Sequence, residues 1–419
     1  MKRDPHYAKR SPQKMSFRRL IHLPYIPIFS AIFFALMIIY ADNIISNLSP
    51  NSMAIRSIEL SNLIPSNSVT ESINITHPPA ARTHTATLLP PQNSTREERI
   101  AWLMKNLPEF NIFQRTKSDE RFHDGVVEFF GDSNCRTRFF MTWLLPANQF
   151  GSRELICIGS LFKAHPSGCL LIISGSMDST QGNKILEPLI EKGFRVVPIT
   201  PNLPFLVNNT PAKAWLEEMK SGKRDPGLIS LGQNLSNLIR LAILYKYGGI
   251  YMDTDFIVLR KFDGLTNTIG AQTIRDTSLT LNNAVLVFEP EHPLVYKFLE
   301  EFATTFNGNK WGFNGPFLVT RVVKRLQFNG NFTVLPPEAF YPVDWIRIGR
   351  LFRSPRNKRE AQWVEDEAVR LDRVAYGVHL WNKRSRSMKI EEGSVMEKLV
   401  AKYCVICMGK SGSRDEMSE

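Results

Sequence analysis

Leu231, Leu235, Leu238, Ala242 and Tyr245 recur at helical spacing. They predict a helix that lays one apolar stripe on a core and stops at Gly248 and Gly249. Ile250, Tyr251 and Met252 then predict a short strand that delivers Asp253 and Asp255 at its end, with Thr254 turned the other way because side chains alternate. Upstream, the apolar runs Arg138–Leu144, Gly168–Ser174 and Phe194–Ile199 read as strands. Helix-length stretches at Arg153–His165 and Ile185–Lys192 separate them. Such alternation predicts an α/β fold with a mostly parallel sheet and helices on its faces. Downstream, Phe256–Leu259 and Leu281–Phe288 are β-prone, and Pro293–Phe306 and Phe317–Leu326 read as helices. A Gly/Asn-rich loop, NGNKWGFNGP, lies between those helices, and the last third of the chain is rich in aromatics.

The N-terminal pattern is different. Residues 1–19 carry seven Lys and Arg against one Asp, and an apolar run follows from Leu20 to Ala41. Twenty-two residues at ~1.5 Å rise cover ~33 Å, enough for a bilayer core, and the basic flank sets the N-terminus in the cytosol and the body in a lumen. Ala41 leaves a cleaved signal peptide as the competing reading, although the run exceeds the usual h-region. From Asp42 to about Arg96, Ser, Asn, Thr and Pro dominate and periodicity is lost, which reads as an extended stem. Asn47, Asn74 and Asn93 open N-x-S/T sequons there, and Asn208, Asn234 and Asn331 open others in the body; Asn234 falls on the predicted helix, where a glycan would have poor access. Residues 97–134 read as a charged, partly helical lead-in that packs on the body.

Composition narrows the class. The chain has 419 residues and a formal charge of +12, but its basic residues are scattered and give no nucleic-acid footprint. Five cysteines are too few for a disulfide scaffold and leave at least one unpaired within the chain. A lone Cys404-x-x-Cys407, with no second pair, fits a disulfide in an oxidising lumen better than zinc, and Cys135 and Cys169 open two strands expected to be neighbours. The Asp253–Asp255 pair reads two ways: two solvated, turn-favouring acids, or two carboxylates converging on a cation. An EF-hand is excluded, because Ile257 replaces an oxygen ligand and no Gly follows at the required turn. A phosphohydrolase would place such a pair at the start of the fold, whereas here two or three strand units precede it.

The stretch from Arg240 through YKYGGIYMDTD resembles the DxD sugar-binding region of glycosyltransferases. Together with RFFMTWL, LFKAHPSGCLLIIS, LNNAVLVFEPEHPL, NKWGFNGPFLVTRVV, YGVHLWNK and CVIC, it resembles the plant branch of the alpha-1,4-glycosyltransferase family, related to globotriaosylceramide synthase. The resemblance covers residues 135–408 and implies a GT-A catalytic domain there, with 409–419 as a flexible tail. It implies a Golgi-membrane enzyme of type II topology that uses a nucleotide-sugar donor, retains anomeric configuration and acts on a glycolipid or glycan acceptor. It also implies Mn2+ or Mg2+ held by Asp255, with Asp253 on ribose or metal and His379 closing the metal shell. Arg240, Trp143 and Tyr251 are the expected nucleotide-sugar contacts, and Asn282, Asn283, Asn314 and Gly315 the expected sugar or acceptor contacts. Each has a plain alternative: a helix salt bridge for Arg240, a core ring for Trp143, a structural histidine for His379 and turn propensity for Asn-Gly-Pro. The donor reads as UDP-galactose, with GDP-mannose or UDP-N-acetylglucosamine as alternatives, and a fold that has lost turnover to become a tethered carbohydrate-binding protein stays open.

Overall fold

The computed structural model describes residues 89–113, 119–131, 135–275, 278–326 and 331–407. All of them belong to one unit, Ala81–Glu419. The expected cytosolic tail, membrane anchor, most of the stem and the C-terminal tail, with Asn47 and Asn74, lie outside the described residues. Among those described, no helix is long and apolar enough to cross a membrane.

In chain order the elements are α1 (Arg96–Asn106), α2 (Asp119–Gly131), β1 (Thr137–Thr142), α3 (Ser152–Ala164), β2 (Gly168–Ile173), α4 (Thr180–Ile190) and β3 (Arg195–Ile199). Next come α5 (Leu203–Val207), α6 (Ala212–Lys220), α7 (Leu231–Tyr247), β4 (Gly249–Met252), β5 (Phe256–Val258), β6 (Thr268–Arg275) and β7 (Ser278–Phe288). The rest are α8 (Pro293–Thr305), α9 (Pro316–Arg325), β8 (Thr333–Leu335), α10 (Pro337–Phe340), α11 (Lys358–Val374), β9 (Gly377–His379), α12 (Asn382–Ser385) and α13 (Val395–Tyr403).

Seven strands form one sheet in the order β3-β2-β1-β4-β7-β6-β8, and β5 pairs with β9 in a separate ribbon. The fold is α/β and the sheet is mostly parallel. β7 is the exception, running antiparallel to β4 and β6. Both faces are buried, as a parallel sheet with helical crossovers requires. Phe140, Leu171, Ile173 and Tyr251 pack with α7 and α8 on one face. Phe139, Met141, Leu170, Ile172, Ile250 and Met252 pack with α3 and α4 on the other. A third cluster joins Ile257 of β5 and Val378 of β9 to Leu371 of α11 and Leu399 of α13.

The lead-in is tied to this body. Thr95 and Glu98 form a capping box at the start of α1. Arg99 then donates to Asp225, Nε to Oδ1, at 2.9 Å. Cys135 and Cys169, at neighbouring parallel strands, form a disulfide with 5.5 Å between Cα atoms. Cys404 and Cys407 form a second, with 5.4 Å, and Cys157 is free and buried.

Candidate functional site

α7 is the platform. Leu231, Leu235, Leu238 and Ala242 are fully buried, and the helix ends where Gly248 takes φ 59° and ψ −177°. β4 starts at once and lies parallel to β1, with Phe139 opposite Ile250 and Phe140 opposite Tyr251. Asp253 and Trp143 therefore follow the carboxyl ends of two adjacent parallel strands, the end at which open α/β sheets bind ligands.

The two carboxylates converge by a route other than strand alternation. β4 stops at Met252, and Asp253, Thr254 and Asp255 form the turn into β5. The turn is anchored by Asp253 N donating to Ala284 O at 2.8 Å and by Leu380 N donating to Asp255 O at 2.8 Å. Pairing of β5 with β9 places Phe256 opposite His379. The imidazole Nε2 thus comes within 3.3 Å of Asp255 Oδ1 and 3.9 Å of Asp253 Oδ2. One ligand atom from each of Asp253, Asp255 and His379 lies within 4.8 Å of the others. Two carboxylate oxygens and an imidazole nitrogen form a donor set suited to a hard or borderline divalent cation, so the residues present fit one.

Positive charge gathers around this pair. Burial works against a charge on His379, but Asp255 and Asp253 outweigh it and raise its pKa to about 9. Burial likewise opposes ionisation of Asp255, yet His379 and the Asn382 amide hold its carboxyl below the usual range. Asn382 N donates to Asp255 Oδ2 at 2.8 Å. Arg240 approaches Asp253 Oδ1 at 3.0 Å, and the Tyr251 hydroxyl donates to that same oxygen at 3.0 Å. Asp253 Oδ1 is thereby held from behind, and Oδ2 turns toward His379.

Several expected contacts sit differently. Arg240 is 3% exposed; its Nη1 donates to Asn283 O at 2.7 Å, its Nε to Ser236 O at 3.2 Å, and its guanidinium lies 4.6 Å from the Tyr251 ring centroid. Tyr251 is fully buried. Both contact Asp253 Oδ1 from the interior side. Trp143 is buried against Phe150, its indole donating to Pro146 O at 3.3 Å, with Arg386 on its ring. The Asn282, Asn283 and Asn314 amides are buried and engaged inside the protein, donating to Gln272, Asn237 and Asn234. Gly315 leaves room for Asn237, whose Oδ1 would lie 2.8 Å from an added Cβ. Asn283, Asn314 and Gly315 build a polar seam between α7, β7 and the 307–315 loop, while Asn282 bonds β7 to Gln272 of β6. Asn93, Asn208 and Asn331 are exposed, whereas Asn234 is buried in the seam.

Sequence reasoning missed Asn382, Tyr341 and Ser236. Tyr341 packs edge-on to His379 with centroids 5.8 Å apart and donates its hydroxyl to Asn282 O at 3.4 Å. Ser236 lies one helical turn before Arg240, the one signal that could have paired them.

Residues 151–275, which include the Asp253 turn, match the glycosyltransferase sugar-binding region containing a DXD motif. Residues 287–411, which include His379, match the alpha 1,4-glycosyltransferase conserved region. Mouse lactosylceramide 4-alpha-galactosyltransferase is 35% identical over 59% of this chain and 68% of its own length. Human alpha-1,4-N-acetylglucosaminyltransferase is 32% identical over 48% of this chain and 57% of its own. The solved PaToxG glycosyltransferase is 18% identical, with a TM-score of 0.35 over 50% of this chain and 77% of that one. The chain belongs to the alpha-1,4-glycosyltransferase family, and it is a glycosyltransferase.

Proposed function

We propose that this enzyme has the GT-A architecture and moves a hexose from a nucleotide sugar to a hydroxyl of a glycolipid or glycan, with retention of configuration. UDP-galactose is the donor favoured by the galactosyltransferase names among its relatives. The N-acetylglucosaminyltransferase relative supports UDP-N-acetylglucosamine as the second reading. The basic-flanked apolar run at Leu20–Ala41 supports a single-pass type II protein of the Golgi membrane with its body in the lumen.

The observation that carries the proposal is the convergence of Asp253, Asp255 and His379 within the matched regions. These three side chains would hold Mn2+ or Mg2+. Such a cation, when bound, offsets the negative charge that grows on a nucleotide diphosphate as the glycosidic bond breaks. The protein's part is positional. Arg240 and Tyr251 fix Asp253, and the Asn382 amide fixes Asp255, so neither carboxylate must reorganise when the donor arrives.

The test is donor hydrolysis by the purified chain, with UDP-galactose, UDP-N-acetylglucosamine and GDP-mannose compared with and without Mn2+, beside Asp255→Asn. Metal-dependent turnover of UDP-galactose, lost by at least ~100-fold in the variant, is expected. Turnover that ignores both metal and variant would refute the metal-site assignment.

A further inference from the structure

The site's neighbourhood carries an apolar, cationic rim that the transfer chemistry leaves unused. Lys383 and Arg384 are successive residues of α12, which starts three residues after His379. The Lys383 ammonium lies 3.7 Å from the Trp311 ring centroid, and the Arg384 guanidinium lies 4.9 Å from that of Trp345. One short turn therefore holds two indoles from separate loops. Phe317 lies against Gly312, the residue after Trp311, its ring 3.2 Å from where a Cβ on that glycine would sit. Ile346 follows Trp345 directly. All four are open to solvent: Trp311 is 50%, Phe317 51%, Trp345 47% and Ile346 68% exposed.

Charge accompanies them. Lys310, Arg347, Lys383, Arg384 and Arg386 are exposed on the same segments; Asp344 bonds Arg347 and Glu154 pairs with Arg386 at 3.9 Å, which offsets two of these charges and leaves Lys310, Lys383 and Arg384. Exposed indoles and an aliphatic side chain, interleaved with Lys and Arg, match a membrane interface. There the rings sit at headgroup level and the cations meet the acidic groups of headgroups, for which phosphatidylserine serves as the probe. A glycan platform would use the flat indole faces but has no need of an open Ile346, and a neutral sugar offers the cations nothing.

We propose that this rim docks the folded body on an anionic bilayer surface. α12 couples the docked face to the reaction site, since Asn382, its first residue, donates to Asp255. Headgroup-borne acceptors would then be met beside the metal cluster. That last point rests on the proposed function. Docking itself does not, and it is read without turnover.

All seven tryptophans lie among the described residues, and residues 1–88 contain none, so indole fluorescence of the full chain reports on the body. The chain is reconstituted into phosphatidylcholine vesicles with brominated acyl chains, with and without 20 mol% phosphatidylserine. The expected result is quenching that is stronger with phosphatidylserine and falls at 0.5 M salt. The quenched fraction should drop at least twofold in the Trp311→Phe/Trp345→Phe double variant, which keeps aromatic bulk. Lys383→Gln/Arg384→Gln should lower the docked-to-free ratio of the body on anionic vesicles, read from quenching, by ~fivefold per cation. Equal quenching with and without phosphatidylserine, or equal quenching in the indole variant, would overturn the proposal. So would absent quenching joined to an emission shift on adding lactose, which would assign the rim to a glycan. Absent quenching with a dimer that the indole variant dissolves would also overturn it, in favour of a second copy.

Discussion

Arg240 and Asp253 meet at 3.0 Å, a guanidinium that is 3% exposed against a carboxylate that is 27% exposed. The cation belongs to the interior and the anion to the cleft, so the pair carries order from the core to the site. Arg240→Lys keeps one point charge but cannot serve Ser236 O, Asn283 O and Asp253 together. Mn2+-dependent activity should fall ~10- to 100-fold, the usual cost of losing a partner that orients a metal ligand. Arg240→Gln should in addition cost about 2–3 kcal/mol of stability, below the figure for a fully buried pair because Asp253 reaches solvent. Tyr251→Phe removes one hydrogen bond to Asp253 and should cost about 1 kcal/mol. Thermal unfolding and a Mn2+ titration of activity separate the two effects; full activity in Arg240→Lys would remove the positioning role.

Gly248 makes the junction between α7 and β4 possible. Its φ of 59° with ψ of −177° is a conformation that side-chain-bearing residues avoid. An added Cβ would also stand 2.5 Å from Pro290 Cδ. Gly248→Ala should therefore cost about 3 kcal/mol or more, from backbone strain and collision together. Gly264 has φ 79° but open space around it, so Gly264→Ala should cost only about 1–2 kcal/mol, the strain alone. Urea midpoints of the two variants check the order. Equal losses would mean that the contact with Pro290 yields.

What was legible in the chain follows from locality. The stripe of α7, the glycine stop and the β4 run are set by neighbours in sequence, and the expected elements there match the observed ones to within a residue or two. The Asp253–Asp255 pair was found, but its convergence was credited to strand alternation, whereas a turn held by Ala284 and Leu380 produces it. That turn depends on β9, more than a hundred residues downstream, and no periodicity announces a three-residue strand such as Gly377–His379. The helix Lys358–Val374 went unassigned among the aromatics of the last third, because few of its residues are buried and its apolar stripe is thin. The seam asparagines were recognised as a polar group with a shared purpose. Their direction was not readable, because Asn-Gly-Pro looks alike whether it rims a pocket or bonds a buried helix.

His165 ends α3 and accepts a hydrogen bond from Phe262 N on Nε2 at 3.1 Å. Burial against Phe139 and Phe262 lowers its pKa from the ordinary 6.5 to about 4. A histidine kept neutral on folding contributes stability that is fully present above the unfolded value and is lost as pH falls from 6.5 toward 4. A shift of this size is worth up to ~3 kcal/mol, and about 2 kcal/mol once solvent near the ring is allowed for. Stability of the chain should therefore drop between pH 6.5 and 4, and His165→Gln should flatten that part of the profile while lowering the plateau at neutral pH. Denaturant unfolding at half-unit pH steps reads both. An unchanged slope in the variant would place the acid sensitivity elsewhere.

The two disulfides close loops of very different length, and this ranks them. Cys135 and Cys169 are 34 residues apart and join neighbouring parallel strands, whereas Cys404 and Cys407 are three apart. Chain-entropy arguments assign about 4 kcal/mol to the first loop and about 1.5 kcal/mol to the second, since a cross-link constrains the unfolded chain more when it spans more of it. Packing sharpens the contrast. Cys169 is fully buried in the sheet, so Cys135→Ser/Cys169→Ser also places a hydroxyl in an apolar layer, and Cys135→Ala/Cys169→Ala is the cleaner variant. The Ala pair at 135 and 169 should lower the stability of oxidised protein by about 3–4 kcal/mol, and the Ala pair at 404 and 407 by about 1–2 kcal/mol. Reducing agent should then destabilise the second variant far more than the first, because the long-range bridge remains only in the second. If reduction affected both alike, or the order were reversed, the bridge between β1 and β2 would not be the one that holds the sheet.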